Sequence, residues 1–132
     1  MARILVVEDN PDNLKLFRAL LALNGHEVTG LHSGDGLQDA IRQNRPDLIL
    51  MDIQLPGKDG YALLEEIRTG PEPWCDLRIV ALTAHARGED ERRANSAGFD
   101  GYITKPIEIT TFPDQVGQAL SLPEKRMPGG AA

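Results

Sequence analysis

Asp47-Leu48-Ile49-Leu50-Met51-Asp52 is the stretch that decides the fold. Four consecutive apolar residues lead into a carboxylate. A continuous apolar run this short marks a strand covered on both faces of a sheet. Leu55-Pro56-Gly57-Lys58-Asp59-Gly60 follows as a loop, so Asp52 stands where the strand ends. Lone buried charge is costly, and such a carboxylate needs partners, water or chemistry.

Working outward, Ile4-Leu5-Val6-Val7 is a similar short apolar strand that ends at Glu8-Asp9. Asn10-Pro11 reads as the N-cap and first residue of a helix. That helix carries Phe17, Leu20 and Leu21 on one side and closes at Gly25. A weak strand is expected near residues 27–31. Ser33-Gly34-Asp35 then turns into a second helix with Leu37, Ala40 and Ile41, which Pro46 stops. Beyond Asp52, Tyr61, Leu63, Leu64 and Ile67 mark a third helix, broken by Gly70-Pro71-Glu72-Pro73. Residues 78–83, with Ile79, Val80, Ala81 and Leu82 in the middle, form another buried strand. A polar fourth helix is expected over residues 89–97, with Gly98 at its end. Gly101-Tyr102-Ile103-Thr104 is a short last strand before Lys105-Pro106, and Pro113 sits in the first turn of a final helix reaching about Leu120. Five strands alternating with five helices predict an α/β fold, a parallel sheet with helices on both faces. Residues 123–132 hold little to bury, so they are expected to be a disordered tail behind one domain over residues 1–122.

The bulk numbers narrow the class. At 132 residues, 41% hydrophobic and 26% charged, the chain reads as one ordinary globular domain. Twenty acidic residues against 14 basic ones give a net charge of -6, which argues against a nucleic-acid binder. Cys75 is the single cysteine, so no internal disulfide forms and a reducing compartment fits. No apolar run approaches a membrane span, and the N-terminus shows no signal-peptide pattern. A cytoplasmic location, with no nucleic-acid or membrane partner, is expected.

In open parallel sheets, ligands sit outside the carboxyl ends of the strands where the strand order reverses. There this chain places Glu8 and Asp9, Asp52, Thr83 and Lys105. The first turn, Glu-Asp-Asn-Pro-Asp-Asn, is neither a dinucleotide fingerprint nor a Walker loop. An acidic turn holds phosphate only through a cation, and a divalent ion also relieves the repulsion among three carboxylates. All-oxygen donors favour Mg²⁺, with Mn²⁺ as the other choice. Aspartate is a phosphoryl acceptor in enzymes that form acyl phosphates. Asp52 is central, Lys105 is placed to neutralise developing charge and Thr83 to donate to a phosphoryl oxygen.

These residues carry a resemblance. Ile-Leu-Val-Val-Glu-Asp-Asn, Leu-Ile-Leu-Met-Asp-Ile-Gln-Leu-Pro-Gly-Lys-Asp-Gly, Ile-Val-Ala-Leu-Thr-Ala-His-Ala and Gly-Tyr-Ile-Thr-Lys-Pro-Ile, spanning residues 4–107, resemble the receiver domain of two-component response regulators, most of all the single-domain type without an output domain. The resemblance implies a flavodoxin-like, doubly wound (βα)5 fold with strand order 2-1-3-4-5. It implies Asp52 as phosphoacceptor, Asp9 as direct metal ligand, Glu8 as an outer-shell one and the backbone carbonyl of Gln54 as a further ligand. Thr83 is then the switch hydroxyl, Lys105 the phosphoryl-binding ammonium and Tyr102 the switch aromatic, with a cis bond before Pro106. The implied function is a phosphorelay response regulator. It accepts a phosphoryl group from a phosphohistidine on a sensor histidine kinase or histidine phosphotransfer domain, then switches conformation to bind a downstream protein. It is no enzyme beyond its own phosphoacceptance and autodephosphorylation. The acidic pair is Glu8-Asp9 where Asp-Asp is the family's usual pair; the longer Glu bears on metal affinity.

Two other readings compete. An aspartate-nucleophile phosphatase of another superfamily needs a second Asp two residues after the nucleophile, where this chain has Gln54. A degenerate receiver, binding partners without phosphorylation, is at odds with intact Asp9, Asp52, Thr83 and Lys105. His85, two residues after Thr83, reads as a solvated loop histidine, and His26 and His32 show no metal spacing. Trp74 and Cys75 are expected to plug an edge of the core. Leu16 and Leu23 lie on the flank of the first helix, and single exposed leucines are ordinary.

Overall fold

The computed structural model describes residues 2–53, 55, 60–70, 77–83, 92–93, 96–105 and 107–121. Five strands form one sheet: β1 (Arg3–Val7), β2 (Glu27–Leu31), β3 (Leu48–Asp52), β4 (Ile79–Thr83) and β5 (Gly101–Thr104). Every pairing is parallel and the order is β2-β1-β3-β4-β5. Four helices are described in full: α1 (Pro11–Leu23), α2 (Leu37–Asn44), α3 (Gly60–Arg68) and α4 (Phe112–Leu120). Of the helix expected over residues 89–97, Arg92, Arg93, Ser96 and Ala97 are helical, and the rest lies outside the described residues. Trp74, Cys75, His85 and the 123–132 tail also lie outside them.

The strand period of two sorts the core into halves. Leu5, Val7, Ile49, Met51, Ile79 and Ala81 point to the side covered by α2 and α3. Ile4, Val6, Leu48, Leu50, Val80 and Leu82 point to the side covered by α1 and α4. Both halves are apolar, which is why Leu48-Ile49-Leu50-Met51 is unbroken in the sequence. β3 and β4 are buried along their whole length, whereas the outer strands β2 and β5 are only partly so. On the α1–α4 side, Phe17 stacks on Phe112 with ring centroids 5.5 Å apart.

Local chemistry sets the helix ends. Asn10 Oδ1 accepts from the Asp12 and Asn13 N–H groups, and Pro11 occupies the first turn, where its missing N–H costs nothing. Gly25 follows the helix with φ +86°. α2 ends at Asn44, and Arg45 turns into the left-handed region at φ 45° ahead of Pro46. At the sheet edge opposite the acidic cluster, the Arg68 guanidinium donates to the carbonyls of Gly98 and Leu77 and to Asp100 Oδ2. Asp100 Oδ2 also accepts the Ile79 N–H at 2.8 Å. This nearly buried clamp ties the end of α3 to the starts of β4 and β5.

Candidate functional site

Because all strands run one way, their carboxyl ends share one edge of the sheet. β1 leads out towards β2 while β3 leads towards β4, so the strand order reverses between β1 and β3. Val7 pairs with Met51, and this register puts Glu8 beside Asp52 one residue later. Thr83 pairs with Thr104, and the Lys105 N–H donates to the Thr83 carbonyl at 2.7 Å. Four strand ends therefore deliver the sequence-predicted cluster to one place.

The centre of the cluster is an ion triad. Lys105 Nζ lies 2.8 Å from Asp52 Oδ2 and 3.2 Å from Glu8 Oε1. Glu8 is fully buried, Asp52 is 2% exposed and Thr83 is 6% exposed. Burial by itself would lower the Lys105 pKa. The hydrogen bond and charge of Asp52, joined by Glu8, outweigh it and raise the value above that of a free lysine. Glu8 moves upward too: burial dominates, the Asp52 charge adds to it, and the Asn10 N–H and Lys105 oppose it. Two buried carboxylates facing one ammonium leave the site short of positive charge.

Glu8, Asp9 and Asp52 each offer a carboxylate oxygen, all within 4.8 Å of one another. Their oxygen-only chemistry fits Mg²⁺ or Mn²⁺. The three acids are not equivalent. Glu8 Oε1 accepts from Lys105 and Oε2 accepts from the Asn10 N–H at 3.1 Å, whereas Asp9 is exposed. The extra methylene of Glu8 is thus used to reach two donors inside the protein. Gln54, whose carbonyl was expected as a ligand, and Pro106, with its expected cis bond, lie outside the described residues. Tyr102 is half-buried and packs on the half-core that contains Ala81 and Phe99. Ala81 is its register partner on β4, and strand alternation puts Thr83 on the same face.

Gly60, which the sequence pattern places in the loop before the third helix, is a positioning residue. A Cβ there would lie 2.7 Å from the Asp52 carbonyl oxygen and 2.8 Å from Ile53 Cα. Its N–H donates to the Ile53 carbonyl at 2.8 Å. Only glycine lets the first turn of α3 press against the backbone that carries Asp52. The signal was the Asp59-Gly60 pair at the start of the third helix.

A doubly wound sheet with three acids, a hydroxyl and a lysine at its switch point defines a phosphoryl-accepting receiver. The model of the response regulator receiver domain matches residues 4–116, and the chain belongs to that family. It is 38% identical over 117 residues to the polar-differentiation response regulator DivK of Brucella anthropi, covering 89% of this chain and 94% of DivK. It is 44% identical over 107 residues to the sensor protein GacS of Pseudomonas syringae pv. syringae; the match takes 80% of this chain but spans only 12% of GacS. Among solved structures it resembles the receiver domain of the sensor histidine kinase PA1611 from Pseudomonas aeruginosa PAO1, which has a magnesium ion coordinated in its active-site cleft. That match has a TM-score of 0.80 and 34% identity, covering 92% of this chain and 98% of the other. The chain is thus a phosphorelay response regulator receiver of two-component signalling. Among the described residues no helix is long and apolar enough to cross a membrane.

Proposed function

We propose that Asp52 is the phosphoacceptor and takes its phosphoryl group from a phosphohistidine on a sensor histidine kinase or histidine phosphotransfer domain. The observation that carries this is the Lys105 ammonium held on Asp52 Oδ2 at 2.8 Å beside the Glu8-Asp9 pair. An Asp52 oxygen bonds to phosphorus as the phosphorus–nitrogen bond of the donor breaks, leaving an acyl phosphate and a free imidazole. Lys105 already spans the site, so its charge needs only a small shift to meet phosphoryl oxygens. Thr83 donates its hydroxyl to another of them. Asp9 and Asp52, with the Gln54 carbonyl, would hold a magnesium ion, which supplies the positive charge that the two buried carboxylates lack. Glu8, with both oxygens engaged inside the protein, acts on that ion from outside its first shell.

The phosphoryl group enters and leaves on the protein's own side chain, with no external metabolic substrate. In the cytoplasm the output is a change of partner affinity: Thr83 moves towards the new charge and Tyr102 follows into the space behind it, on the face the two share. Thr83→Ala should then leave phosphorylation intact but weaken the NMR shifts that beryllofluoride produces at Tyr102. A full wild-type pattern in that variant would remove the coupling.

The test of the site is incubation with acetyl phosphate and Mg²⁺, followed by intact mass. The wild type should gain one phosphoryl group, and Asp52→Asn or excess chelator should abolish it. An undiminished adduct in Asp52→Asn would place the acceptor elsewhere, and undiminished transfer in chelator would remove the metal.

A further inference from the structure

We propose that the cleft between α1 and β2 is a docking site for an extended acidic segment of a partner protein. The cleft has a volume of about 260 Å³ and is lined by Pro11, Leu14, Lys15, Arg18, Gly30 and His32. None of these residues belongs to the phosphoryl site, and the proposal does not depend on how Asp52 is read.

Three observations carry it. The first is charge. In a chain of net charge -6, Lys15 and Arg18 stand three residues apart on α1, hence on one face. His32, just past β2, lines the same cleft. Among the described residues the side chains of Lys15, Arg18 and His32 form no ion pair or hydrogen bond. Arg3, Arg42, Arg68 and Lys105, by contrast, are all committed to acids of this chain. The second is shape. Leu14 packs over Gly30, so closely that a Cβ there would lie 2.9 Å from it. The lining is therefore partly apolar, from Leu14 and Pro11 beside Gly30, with cationic side chains on the α1 wall.

The third observation selects the ligand. A lone phosphate seeks converging backbone N–H groups at a helix start. Here Pro11 has none, and those of Asp12 and Asn13 are given to Asn10 Oδ1. What remains is flexible cations a helical turn apart, which suits carboxylates spaced along a chain. The volume is also below the roughly 300–1,000 Å³ of an enclosed small-molecule site.

The experiment is an NMR titration at low salt with a hexaglutamate peptide as probe, following the amides of Lys15, Arg18, Gly30 and His32. These amides should move as a group. In Lys15→Gln/Arg18→Gln the apparent affinity should fall about fivefold or more, the scale of two exposed ion pairs. Arg42→Gln/Arg45→Gln, which removes the same charge from α2 and the residue that follows it, should bind as the wild type does. The proposal is overturned if the cleft amides stay still or if the cleft variant binds undiminished. Equal loss in the α2 variant overturns it too. Inorganic phosphate producing the same shifts at equal charge concentration would replace the acidic segment with a simple anion.

Discussion

Gly60→Ala probes how closely α3 seats against the strand that presents Asp52. The added Cβ would stand 2.7 Å from the Asp52 carbonyl oxygen and 2.8 Å from Ile53 Cα. Contacts of this kind settle at roughly 3.5 Å, so the overlap approaches an ångström. Both obstructing atoms are backbone, and no rotamer change relieves them. Either α3 retreats, weakening the 2.8 Å bond from Gly60 N–H to the Ile53 carbonyl, or the end of β3 tilts. Overpacking of this size costs ~1–3 kcal/mol, and the better helix propensity of alanine returns ~0.5–1 kcal/mol. The net loss should be about 1–2 kcal/mol, a fall in Tm of roughly 4–10 °C for a domain of this size. Displacement of Asp52 by part of an ångström should also slow modification by acetyl phosphate roughly tenfold or more. The measurements are urea unfolding and the time course of intact mass. Gly117→Ala is the control: it sits in α4 with nothing within 4 Å of its added Cβ, and should stabilise by ~0.5–1 kcal/mol. A Gly60→Ala protein that is as stable as the wild type and is phosphorylated as fast would refute the close-approach argument.

Three further outcomes are expected. Lys105→Met strands Glu8 and Asp52 as buried carboxylates, so urea unfolding at neutral pH should show a loss of ~3 kcal/mol or more, with part regained on adding Mg²⁺; an unchanged midpoint would mean that the triad carries no net stability. Arg68→Met takes the guanidinium away from the Gly98 and Leu77 carbonyls and from the buried Asp100, which keeps the Ile79 N–H, and should cost ~3–5 kcal/mol while leaving the phosphoryl site in place; a loss below ~1 kcal/mol would argue that the clamp is dispensable. His26 has its pKa lowered by burial, and its Nδ1 accepts the Ala2 N–H. Its unfolded form therefore protonates first as pH falls through about 6.5, and stability declines from there until the folded value is passed; His26→Gln should flatten that decline in unfolding midpoints taken from about pH 7 to pH 5, and an unaltered slope would rule His26 out as its source.

Much of this protein is legible in the sequence because its signals are local. Strands buried on both faces demand unbroken apolar runs, so Leu48-Ile49-Leu50-Met51 and Ile79-Val80-Ala81-Leu82 declare themselves. In a parallel sheet every strand ends on the same edge, so the residues after those runs, Asp52 and Thr83, had to meet Glu8, Asp9 and Lys105. The strand order came from the family resemblance, since local patterns do not reveal which apolar strand neighbours which. Tertiary structure alone decided what depends on distance between remote segments. It gave Glu8 two internal donors and left Asp9 exposed, a difference invisible in two adjacent acids. It drew Gly60 under Asp52, a matter of a few tenths of an ångström. It made Arg68 a clamp and, among the described residues, gave Lys15 and Arg18 no ion pair, although all three are ordinary basic residues on helices. The physical reason is the same in each case: apolar periodicity encodes which face of an element is buried, while the partner of a charge is set by where the fold brings another chain segment.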